Sequence, residues 1–83
     1  MSSPDNLTVA LAGVIRAERR AQERSHAEVF EPAGISRSTY HRYERGQRTL
    51  PVPALVAISD ALNVDPADLI VRARAAVAGK SRP

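Results

Sequence analysis

Eighty-three residues make one domain, and a chain of this length buries only a modest core, so a partner subunit or ligand would add appreciably to its stability. Twelve Lys and Arg against nine Asp and Glu leave a formal charge of +3 and a pI near 10.2, while the lack of cysteine excludes a disulfide framework or a zinc–thiolate site. The start, Met1 to Asn6, has no basic apolar leader, and no stretch approaches the roughly 20 apolar residues of a membrane span, which together predict a cytoplasmic protein.

Residues 1–6 read as an N-terminal tail, 7–78 as the domain and 79–83 as a basic C-terminal tail. From Leu7 to about Arg24 the apolar residues Leu7, Leu11, Val14, Ile15 and Ala21 recur at helical spacing behind the candidate caps Asp5 and Asn6. This first helix has a basic end: Arg16, Arg19, Arg20 and Arg24. Ser25 followed by Glu28 matches a capping box, so a second helix begins near His26. Pro32 limits it to about two turns, since proline lacks an amide proton and pushes its predecessor out of helical geometry; Gly34 then supplies the turn.

The next segment, Gly34 to Gly46, carries the most information. Ser36 is a good N-cap and Gly46 can take the left-handed conformation that ends a helix, so the third helix runs from Arg37 to about Arg45. Ile35, Tyr40 and Tyr43 point to a core, which leaves Arg37, Ser38, Thr39, His41, Arg42 and Arg45 facing out. Between Arg37 and Arg48 lie four arginines and one carboxylate, so the positive excess is concentrated there. Arginine can donate two hydrogen bonds to guanine, hydroxyls reach phosphates or bases, and each cation gains from a polyanion. About nine residues, some 13 Å of rod, fit one DNA major groove.

Past Gly46, two prolines within Leu50-Pro51-Val52-Pro53 mark a loop feeding a fourth helix from about Pro53 to Leu62, with Leu55, Ile58 and Leu62 as its stripe. Asp65 as N-cap, Pro66 in the first helical position and Asp68 in the first turn start a fifth, to about Ala78, with Leu69, Ile70, Ala73 and Val77 on one side. Short connections, no strand alternation and no internal repeat make the fold all-α with five helices.

In this order and spacing the pieces resemble the Cro and phage-repressor (XRE-like) helix-turn-helix family, over about Leu11 to Leu69. They are Ile15-Arg16-Ala17-Glu18-Arg19, Ser25 with Glu28, Gly34-Ile35-Ser36-Arg37-Ser38-Thr39, Tyr43-Glu44 with Gly46, and Ala61-Leu62-Asn63-Val64-Asp65. The resemblance implies a five-helix lambda-repressor-like DNA-binding domain whose helix-turn-helix is formed by helices 2 and 3. It implies that Arg37, Ser38 and Arg42 read base edges. His41 lies beside them and is either a contact or plain surface. Ser36 and Thr39 would hold phosphate, as would Arg45 and Arg48 flanking Gly46. His26 stands where the family commonly has a backbone-contacting glutamine, and its contact would strengthen on protonation. Arg19 and Glu44 would form an orienting brace. Three residues depart from the pattern: Phe30 stands where a small alanine is usual, Pro32 and Ala33 replace helix-continuing residues, and Arg24 replaces an apolar one and must snorkel.

A double-stranded DNA operator is therefore the expected partner. One short helix reads only a few base pairs, so specificity calls for a homodimer on a pseudo-palindrome, with Leu69, Ile70, Ala73 and Val77 as the surface unless the core consumes them. The expected role is a transcriptional regulator, acting as a repressor; the alternative is a protein-interaction module such as an antitoxin or anti-repressor. His26 and His41 are too few and wrongly spaced for a metal site. No paired carboxylates and no nucleophile with a base at hand appear, so neither an enzyme nor a cofactor or small-molecule ligand is expected.

Overall fold

The computed structural model describes residues 5–80, within which five helices and no strand occur. They are α1 (Asn6–Ala21), α2 (His26–Ala33), α3 (Arg37–Glu44), α4 (Val52–Ala61) and α5 (Pro66–Lys80). The predicted tails fall largely at or beyond these limits: Met1 to Pro4 and Ser81 to Pro83 lie outside the described residues, while Gly79 and Lys80 continue α5.

Capping chemistry sets the starts. Asp5 Oδ1 accepts from the Thr8 amide at 2.7 Å, and Ser25 and Glu28 make the reciprocal capping box at 3.1 and 2.8 Å. Ser36 Oγ accepts from the Thr39 amide at 3.3 Å, and Asp65 Oδ1 from the Ala67 amide at 2.9 Å. The ends of α1 to α4 share one device, a residue with positive φ followed by an amide that reaches back to a carbonyl five positions earlier. Glu23 (φ 55), Gly34 (φ 70), Gly46 (φ 68) and Asn63 (φ 56) are those residues. The closing bonds run from Arg24 to Arg19, Ile35 to Phe30, Gln47 to Arg42 and Val64 to Ser59, at 2.9–3.1 Å.

Two sequence expectations are corrected by these ends. The first helix stops at Ala21 rather than Arg24, because Glu23 turns left-handed and frees Ser25 to cap α2. Pro32 sits inside α2 rather than ending it, forgoing one amide bond, and Gly34 in the left-handed conformation is the stop. At the other boundaries, Arg45 caps the C-terminus of α3, and α4 begins at Val52 with Pro53 in its first turn.

The helices pack α1 against α5 and α3, α2 against α4 and α3, and α4 against α5. Ile15, Val29, Tyr40, Ile58, Leu62 and Leu69 are fully buried at the centre, with Phe30, Tyr43 and Leu55 around them. Expected core residues Leu7, Ala21 and Ile70 are instead exposed, at the rims of the stripes to which their spacing assigned them. Polar ties join the helices: Gln22 Nε2 donates to the Leu62 carbonyl at 2.7 Å, and Arg72 meets Glu18 at 2.8 Å. Arg24, expected to snorkel, is instead half-buried, its guanidinium donating to the Ala61 carbonyl at 2.9 Å.

Candidate nucleic-acid interface

Residues of α1, of the loop that follows it and of α3 itself fix the orientation of α3. Glu44, buried in its last turn, takes the Arg19 Nε–H on Oε2 at 2.7 Å and a second guanidinium N–H on Oε1 at 3.2 Å. Tyr40, one turn earlier, donates its hydroxyl to Oε2 at 2.5 Å, and a third Arg19 N–H goes to the Arg24 carbonyl at 3.0 Å. Burial pushes the Glu44 carboxyl up, but the hydrogen bonds from Arg19 and Tyr40 and the Arg19 charge outweigh it and hold the group below the usual carboxylate range. The same carboxylate raises the Arg19 pKa. Burial, then the hydrogen bond to Glu44, raises that of Tyr40, so its phenol stays protonated.

Arg16, which the sequence reading left without a role, donates to the Glu44 carbonyl at 2.6 Å. Arg16 and Arg20 share one face of α1 by their i, i+4 spacing, but nothing in that spacing points to Glu44. Gly46 completes the junction: a Cβ there would lie 3.3 Å from Val9 Cα, so only glycine lets the chain leave α3 this close to α1.

With its inner side held this way, α3 turns Ser36, Arg37, Ser38, His41, Arg42 and Arg45 onto one shallow concavity. All but His41 are exposed. Among the described residues, none of Arg37, Arg42, Arg45 and Arg48 is ion-paired with a carboxylate. Thr39 does not line this concavity; half-buried, it accepts from the Ser36 hydroxyl at 2.9 Å. Arg48 lies past Gly46, its guanidinium 6.0 Å from the Tyr43 ring centroid. His26 belongs to an adjoining hollow, lined also by Arg16, Arg20, His41, Glu44 and Arg45.

Phe30 is accommodated by packing inward. Its ring is buried, 6.0 Å from that of Tyr40, and the Arg37 guanidinium sits 6.0 Å from its centroid on the outer side. The large residue at this position thus also touches the first arginine of α3. The α5 stripe considered for dimerisation is largely spent: Leu69 and Ala73 are fully buried, Val77 is half-buried, and Ile70 and Val71 remain uncovered.

The helix-turn-helix domain family matches residues 10–70. Among solved structures, the clp gene regulator ClgR from Corynebacterium glutamicum superposes with a TM-score of 0.87 at 23% identity, over 94% of this chain and 83% of that one. A second crystal structure of that regulator gives 0.78 at 25% identity, over 92% and 94%. The restriction-modification controller protein C.AhdI from Aeromonas hydrophila gives 0.71 at 27% identity, over 75% of this chain and 94% of its own. No curated protein sequence matches the chain. Among the described residues no helix is long and apolar enough to cross a membrane.

Proposed function

Because the chain belongs to the helix-turn-helix family, of the XRE-like type, we propose that it is a sequence-specific transcriptional regulator that lays α3 in the major groove of an operator. The observation that carries this reading is the set of uncompensated arginines on and beside one exposed helix face. A folded domain with carboxylates available elsewhere leaves Arg37, Arg42, Arg45 and Arg48 unpaired, the arrangement a polyanion can use. Arg37, Ser38 and Arg42 are the base readers in this scheme, with His41 beside them. His26, Ser36, Thr39, Arg45 and Arg48 hold the sugar–phosphate backbone. The Arg19–Glu44 brace contributes orientation rather than contact.

In this reading the regulator occupies its operator so as to block transcription, a repressor in the cytoplasm without catalysis of its own. The likeness to a restriction-modification controller supports regulation as the setting. Eight residues of helix read too few base pairs for genomic specificity, and a homodimer on a pseudo-palindrome supplies the remainder. Ile70 and Val71 are the large apolar side chains that α5 leaves exposed for it.

Selection from a random duplex pool, followed by binding of the winners at rising salt, tests the proposal. A two-fold-symmetric motif and a steep loss of affinity with salt are expected. A protein that retains no duplex at low salt but co-purifies with another protein would instead be an interaction module.

A further inference from the structure

The hollow beside the reading face gathers both histidines of the chain. The imidazoles of His26, at the start of α2, and His41, midway along α3, lie with ring centroids 4.6 Å apart and planes tilted by 41°. The charges around them are mostly of one sign. α1 brings Arg16, Arg19 and Arg20; α3 brings Arg45 and Glu44, whose Oε1 is 3.5 Å from His26 Nε2, and the Tyr40 ring at 6.3 Å. α4, which also packs against α2, carries Asp60 as its single ionisable side chain, and α2 itself carries the exposed Glu28 and Glu31.

Glu44 is already committed to Arg19 and Tyr40, so it offsets these cations only in part. Burial first, then the Arg19 charge, hold the His26 pKa below the ordinary imidazole value, with Glu44 opposing and His41 and Arg20 adding to the depression. An anion entering the hollow would reverse that balance, because it stabilises the same imidazolium that the arginines repel.

We propose, building on the DNA-reading assignment, that this hollow is a proton-coupled phosphate site: a phosphodiester of the duplex backbone seats among Arg16, Arg20, Arg45 and the histidine pair, and its arrival draws a proton from solvent onto that pair. A glutamine at position 26 could donate a hydrogen bond to the same phosphate but could not titrate. The histidine therefore makes operator affinity depend on pH, which a glutamine there would not. Binding and protonation are reciprocally linked, so acidification tightens the complex and the complex holds the proton more firmly.

The test uses the full chain and a selected duplex, with affinity measured by fluorescence anisotropy from about pH 5.5 to about pH 8 at constant ionic strength. Wild type should tighten as pH falls, by at most about tenfold per pH unit for a single coupled proton. His26→Gln and His41→Gln should flatten that slope, whatever their absolute affinities. Calorimetry of wild type in two buffers of different ionisation enthalpy should register proton uptake on binding, a readout that stands even if a variant fails to fold. A pH-independent Kd, or a slope undiminished in both variants, overturns the proposal; absence of any duplex binding overturns the functional reading instead. To separate the sources of phosphate, the imidazole resonances are followed on adding duplex or inorganic phosphate at matched ionic strength. They should respond to duplex at far lower concentration, and an equal response to inorganic phosphate would refute assignment to the DNA backbone.

Discussion

Glu44→Gln probes the brace that sets the reading helix, because it removes a charge with little change of shape. The wild-type carboxylate accepts from Arg19 at 2.7 and 3.2 Å and from Tyr40 at 2.5 Å. A glutamine has one oxygen for these donors and points its amide hydrogens at a guanidinium. Arg19, only 7% exposed, then remains a desolvated cation without its counter-ion. Breaking a buried pair from one side costs about 3–5 kcal/mol, and the surviving bond from Arg19 to the Arg24 carbonyl argues for the lower end, near 3 kcal/mol. A domain of this length holds on the order of 4–12 kcal/mol in all, so in the weakest case the variant keeps only about 1 kcal/mol, with roughly one molecule in six unfolded. Urea denaturation followed by helical circular dichroism would measure the loss, with the slope unchanged. Because the folded carboxyl sits below its unfolded pKa, its contribution is complete above the unfolded value and is lost as pH falls through the folded one. The variant should therefore lose that part of the acid sensitivity. An unfolding free energy within about 1 kcal/mol of wild type would refute the reasoning. The triple variant Arg19→Met, Tyr40→Phe and Glu44→Leu should recover much of the loss, since neither an orphaned charge nor an unpaired buried hydroxyl remains.

Two further comparisons separate causes that single variants confuse. Gly34→Ala and Gly46→Ala both force an alanine into left-handed backbone, at about 1–2 kcal/mol each, but a Cβ on Gly34 meets no atom within 4 Å whereas on Gly46 it crowds the α1 backbone at 3.3 Å. Thermal melts should therefore rank Gly46→Ala as the more damaging, and equal losses would show that the contact with Val9 does not matter. On DNA, Arg42→Ala should cost on the order of 1–3 kcal/mol and relax discrimination at one or two base pairs. Arg48→Ala should weaken cognate and random duplex alike and reduce the salt slope by about one unit, so identical behaviour of the two in competition binding would disprove the assigned roles.

Legibility in the sequence tracked how local the physics was. The capping box, the glycine at the end of α3 and the helical stripes depend on residues three or four apart, so all five helices and the outward placing of Arg37, Ser38, Arg42 and Arg45 could be read directly, whereas Thr39, expected to face out, is half-buried. Glu23 gave no warning of a left-handed turn, being neither glycine nor asparagine, and the end of α1 was misplaced accordingly. Pro32 does not end α2, because packing of the short helix tolerates it and Gly34, two residues on, is the stop. Ile70 and Leu7 show the limit of periodicity, which marks a face without saying how far the neighbouring helix covers it. The juxtaposition of His26 with His41 and the reach of Arg16 to the end of α3 join residues 15 to 28 positions apart through packing alone, which no spacing rule reveals.

The account stands on one orientation, the arginine-bearing side of α3 turned toward the bases. Backbone and arginine side-chain resonances of the full protein, followed on titration with a selected duplex and with a scrambled one, examine that orientation directly. The predicted outcome is that Arg37, Ser38 and Arg42 shift strongly and differently with the two duplexes while Arg45 and Arg48 respond similarly to both. A response confined to α4 and α5, with α3 unmoved, would contradict it.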